Sequence, residues 1–133
     1  MPHRQRLLLP IIFIFQLAFH LSISAGNWPT WRGPSGNGIA KDETAPLHWS
    51  TKKNVQWKTA LSGPGNSTPV VWGDRVFITS SQDKGKTRSL ACFHRKDGKL
   101  LWQKDVRYDR TEVTHKTNPQ CSASPTINGD VVA

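Results

Sequence analysis

The side chains that could do chemistry are two thiols, five histidines and nine carboxylates, so their spacing decides what they can build. Two cysteines, Cys92 and Cys121, supply neither a small disulfide scaffold nor a four-ligand zinc site by themselves. In an oxidising compartment they can close one disulfide; two free thiols is the other reading. Cys92, His94 and His115 are three potential metal ligands at irregular spacing, which falls short of a zinc pattern. Asp42-Glu43 is a carboxylate pair in a polar loop, read as solvated rather than catalytic. No Gly-x-x-x-x-Gly-Lys loop, His-Glu-x-x-His helix or Gly-x-Ser-x-Gly elbow occurs. No catalytic, cofactor-binding or metal residue is therefore assigned.

The elements that would position any site must come from 133 residues, enough for one domain, with 36% apolar or aromatic residues. Ten Gly and nine Pro interrupt the chain too often for a helix bundle, so strands and turns are expected. Lys and Arg number 18 against 9 Asp and Glu, a net charge of +9. These cations are scattered rather than clustered, which reads as a solvated basic surface and not as a nucleic-acid footprint.

Met1 to Arg6 is basic, Leu7 to Leu21 is almost wholly apolar, and Ser22 to Gly26 is a run of mostly small residues. That is the layout of a secretory signal peptide over residues 1–25. The apolar run is shorter than a spanning helix needs and carries Pro10, Gln16 and His20, so no stable membrane insertion is expected after cleavage. No Cys follows it to accept a lipid. The product is expected to be exported, periplasmic or extracellular, with a protein or cell-envelope ligand as partner.

From Asn66 onward, short β-branched and aromatic runs alternate with turn signals. Four strands are expected: Ser67 to Trp72, Arg75 to Ser80, Arg88 to His94, and Lys99 to Asp105. Gly73-Asp74 supplies a two-residue hairpin loop, because glycine takes the positive φ such a turn requires. Lys96-Asp97-Gly98 makes the last turn. Leu90 and Cys92 share one face at period two, as do Leu100 and Trp102.

Self-similarity then raises the question of repeats. Ser67 to Val76 lies beside Ala123 to Val132, with Pro69 and Gly73 matching Pro125 and Gly129. A Trp-bearing strand precedes each copy, around Trp57 (about 54–60) and around Trp102. The spacing of the copies differs from that of the tryptophans by one insertion, in the polar stretch Arg107 to Thr117. The unit is a four-stranded sheet of about 45 residues, the size of a β-propeller blade.

Leu90 to Trp102 resembles the repeat of the quinoprotein-like, or pyrroloquinoline-quinone (PQQ) repeat, β-propellers. Gly98 and Trp102 occupy that signature's Gly and Trp, the glycine for the turn and the indole to cover a neighbouring blade. His94 stands where the family often has Asp, Cys92 where it often has Ala, and Asp97 where Thr is usual. Asn27-Trp28-Pro29-Thr30-Trp31-Arg32-Gly33-Pro34 is similar to the opening of exported members. Pro46 to Trp49, Asn54 to Lys58, Gly63-Pro64-Gly65 and Ser67-Thr68-Pro69 continue the likeness.

The resemblance implies an all-β fold of four-stranded antiparallel propeller blades, about one full blade plus parts of its neighbours, preceded by a signal-peptide helix. The divisions are a Trp/Pro/Gly-rich leading segment (26–65), a first blade (66–106), an insertion loop (107–120) and the start of the next blade (121–133). Val131-Val132-Ala133 breaks off within a strand, so a truncated ring is expected. The resemblance implies a binding or scaffold module. The alternative is part of a PQQ- and Ca²⁺-dependent alcohol or sugar dehydrogenase, whose ligands would come from several blades. Trp28 and Trp31 as a sugar platform is a third reading, beside an irregular cap packed on the first strands.

Overall fold

The computed structural model describes residues 26–41, 45–110 and 112–133. The signal-peptide assignment and the Asp42-Glu43 pair lie outside the described residues. The four named strands are β1 (Val70–Trp72), β2 (Arg75–Gln82), β3 (Thr87–His94) and β4 (Leu100–Arg107). They form one antiparallel sheet in the order β1-β2-β3-β4, and the one named helical element among the described residues is the single turn Asp83–Gly85. The fold is all-β.

Each connection has a local cause. Trp72 pairs with Arg75, leaving Gly73-Asp74 as the two-residue loop, and Gly73 takes φ 54° at its first position. Gln82 pairs with Thr87, so the β2–β3 connection is four residues rather than the longer polar loop Ser81 to Thr87. Lys84 and Gly85 both have positive φ, the sign that matches the twist of paired strands. β2 and β3 are thereby longer than expected.

β1 is shorter than the expected Ser67 to Trp72. The ladder with β2 begins only at Val70, because the next residue of that parity, Thr68, gives its N–H to the Ser124 hydroxyl instead of to β2. Beyond that point the edge of β2 is satisfied irregularly: Thr79 N–H donates to the Ser67 hydroxyl at 3.2 Å, and Ser81 N–H to the Pro64 carbonyl at 2.9 Å. The other side of β1 is paired too, because Trp28 and Val71 exchange both backbone hydrogen bonds at 2.8 and 2.9 Å.

The sheet divides its side chains by parity. Val70, Phe77, Cys92 and Trp102 are partners in register and form one row across one face. Val70, Phe77 and Cys92 are buried, and Ile127 and Val132 from the chain's end pack on them. The opposite face carries Ser80, Ala91 and Phe93, against which Thr59 to Ser62 lie. Both faces of the sheet are thus partly covered by flanking segments.

One expectation of facing is corrected. Cys92 pairs with Trp102 but Phe93 pairs with Leu100, a β-bulge that leaves Leu101 as the extra residue. Leu100 therefore sits with Phe93, Ala91 and Gln103, on the face opposite Trp102. The segment 54–60 is likewise not a strand. Its backbone has no ladder among the described residues, and side-chain bonds from Gln56 and Trp57 hold it instead.

Candidate functional site

The β3–β4 turn is held by backbone, side-chain and indole hydrogen bonds together. Gly98 N–H donates to the His94 carbonyl at 2.9 Å, and His94 N–H donates to the Lys99 carbonyl at 2.8 Å. Gly98 holds φ 70°, a conformation that side chains with a Cβ rarely adopt. Asp97 Oδ1 accepts from Lys99 N–H at 3.1 Å and shares a 2.8 Å hydrogen bond with His94 Nδ1. The Lys99 amide, and then the His94 ring, hold the exposed Asp97 carboxyl below its ordinary range.

Trp57 closes over this turn from the other side of the chain. Its indole N–H donates to the Arg95 carbonyl at 2.7 Å, and the neighbouring Gln56 amide donates to the Lys96 carbonyl at 2.8 Å. The ring lies so close to Gly98 that a Cβ there would meet Trp57 Cε3 at 2.5 Å. Glycine is required twice at one position, for its dihedral and for the close approach.

The same device recurs. A Cβ on Gly129, φ 105°, would stand 3.1 Å from Trp72 Cζ2, and one on Gly33, φ 75°, would stand 2.8 Å from the Trp28 ring. Three indoles each cover a glycine of positive φ, and Trp72 with Gly129 joins the first hairpin to the second. Of the two tryptophans singled out at the repeat ends, Trp57 makes such a contact. Trp102 instead packs against the core row, its ring 5.9 Å from that of Phe77.

The second hairpin repeats the first in register. Val70 pairs with Phe77 and Val71 with Val76 around Gly73-Asp74. Around Gly129-Asp130, Thr126 and Ala133 exchange backbone hydrogen bonds at 2.9 and 3.0 Å, and Ile127 bridges Val132. Pro69 and Pro125 stand at equivalent places before the two hairpins. The copies touch directly: Thr68 N–H donates to the Ser124 hydroxyl at 2.9 Å, across 56 residues of chain.

Cys92 and Cys121 are both buried and both free thiols. Burial pushes the Cys92 thiol above its ordinary range, with Arg75 pulling weakly the other way. Such a thiol is a packing group rather than a nucleophile. His94 is turned to Asp97, and His115 Nδ1 meets Thr117 Oγ1 at 2.8 Å, so neither joins Cys92. Among the described residues no three His, Cys, Asp or Glu side chains converge as a metal site.

Trp28, read from sequence as part of an irregular cap with a sugar platform beside Trp31 as the lesser alternative, packs on Gly33 and pairs with β1. Trp31 remains 63% exposed. Sequence reasoning missed the Gln56 bond and the pairing of Trp72 with Gly129; the recurrent Trp and Gly pattern was the available signal. Among the described residues, no helix is long and apolar enough to cross a membrane. Compared with protein families, curated proteins and solved structures, the chain matches none of them.

Proposed function

We propose that the chain is a portion of an exported PQQ-like β-propeller, in which each four-stranded sheet is a blade fastened to its neighbour, and that it acts as a binding or scaffold module. The observation that carries this is the Trp57 indole seated on Gly98 with its N–H on the Arg95 carbonyl. A Trp from the segment before a sheet locks onto that sheet's last turn. The repeated hairpin supports the same reading, since its Ile127 and Val132 cover the first sheet as a following blade would. Stacking between neighbours is how a radial array hides its sheet faces.

Extended backbone and exposed polar loops among the described residues support the binding role. Reconstituting the complete gene product with PQQ and Ca²⁺ tests it. Unchanged absorbance and no dye reduction with alcohols or aldoses are expected; a quinone band with turnover would replace the scaffold with a dehydrogenase.

A further inference from the structure

An open groove of about 560 Å³ runs between the starts of the two repeat copies, lined by Trp31, Asn66, Thr68, Ser122, Ala123 and Ser124. Its floor and walls are one indole, one amide, three hydroxyls and a methyl. Among the described residues no Lys, Arg, Asp or Glu is part of its lining. Hydroxyl and amide groups in the lining suit a ligand that bonds through hydroxyls rather than through direct charge pairing.

The polar groups keep hydrogen-bonding capacity. The Ser124 hydroxyl accepts from Thr68 N–H at 2.9 Å, which leaves its own proton to donate. Asn66 uses its amide N–H on the Thr117 carbonyl at 3.4 Å, which leaves Oδ1 as an acceptor. Ser122 directs its proton to Asn118 Oδ1 and the Pro119 carbonyl, so its oxygen offers lone pairs. Trp31 is 63% exposed, and the Arg32 guanidinium, 5.1 Å from the ring centroid, steadies it.

We infer that this groove binds a neutral saccharide, with the C–H face of one pyranose ring on the Trp31 indole and its hydroxyls bonded to Asn66, Ser122 and Ser124. A pyranose combines one apolar face with a rim of hydroxyls that both donate and accept, and the groove presents the complement of each. The inference deepens the binding-module reading by naming the ligand class. Its test is independent of the quinone titration.

Isothermal titration of the full chain with hexasaccharides of β-linked glucan, α-linked glucan and β-linked mannan, and with an oligogalacturonate, reads the site. At least one neutral hexasaccharide binds at millimolar concentration, with little change on adding NaCl. Trp31→Ala weakens that binding about tenfold or more, and Trp31→Phe restores part of it. Trp49→Ala, which removes an indole 78% exposed outside the groove, leaves it unchanged. Circular dichroism of each variant checks the fold. The inference is overturned if no neutral hexasaccharide binds, if Trp49→Ala weakens binding as much as Trp31→Ala, or if only the acidic oligomer binds and salt removes it. Any of these outcomes leaves the blade reading standing on Trp57 and Gly98.

Discussion

Trp57 and Gly98 are fitted to each other: the indole occupies the space a Cβ would take, and its N–H reaches the Arg95 carbonyl at 2.7 Å in the same turn. Gly98→Ala meets both a disfavoured φ of 70° and the ring, and should cost about 2 kcal/mol in urea unfolding. Trp57→Ala should cost a similar amount through lost packing and a lost hydrogen bond. The double variant should lose less than the sum, because removing the indole relieves the clash and leaves only the dihedral penalty. Strict additivity would mean the two residues do not share a contact.

Phe77 is 2% exposed at the centre of the row that joins Val70, Cys92 and Trp102. Phe77→Ala should destabilise by about 3–5 kcal/mol, since the flanking strands hold the cavity open. Val113, fully exposed in the loop after β4, should tolerate Ala within about 0.5 kcal/mol. Thermal or urea unfolding of the two variants makes the comparison.

Cys92 gives an alkaline prediction. Burial favours its neutral thiol, so its folded pKa lies above the unfolded one. Its contribution is full below the ordinary thiol range and is lost as pH rises from there through the folded value. Stability should fall on the alkaline side, and the fall should lessen in Cys92→Ala. Iodoacetamide should label Cys92 slowly in the native protein and rapidly in urea; equal rates would show that the core row is open.

Asp97 gives the acid counterpart. The Lys99 N–H and the His94 ring favour its carboxylate, so its folded pKa lies below the unfolded one. The stabilisation is present above the ordinary carboxylate range and disappears as pH falls through the folded value. Asp97→Asn should lower the melting temperature at neutral pH and converge on the parent as the solution is acidified. A constant gap across that range would assign the loss to packing.

The hairpin at Gly73-Asp74 was legible because a glycine at the first loop position supplies the positive φ that two-residue hairpin turns need there. The second hairpin was legible as well, since Pro69 with Gly73 and Pro125 with Gly129 mark the same positions twice. The bulge at Leu101 was not: Leu100, Leu101 and Trp102 are all apolar, so alternation cannot reveal a register slip. The shortening of β1 was not legible either, because Thr68 gives its N–H to the Ser124 hydroxyl, a contact 56 residues away that a strand read from Ser67 cannot show. The partner of Trp57 was hidden for a different reason. Spacing along the chain says where an indole sits, but only tertiary contact says which glycine it covers.

This sheet is proposed to be one blade in a ring of similar blades. Cryo-electron microscopy or crystallography of the complete gene product tests it most directly by counting sheets about an axis. Several four-stranded sheets arranged radially are expected, with a tryptophan seated on the last turn of each next sheet as Trp57 sits on Gly98. A single isolated sheet, or two sheets packed face to face as a sandwich, would contradict it.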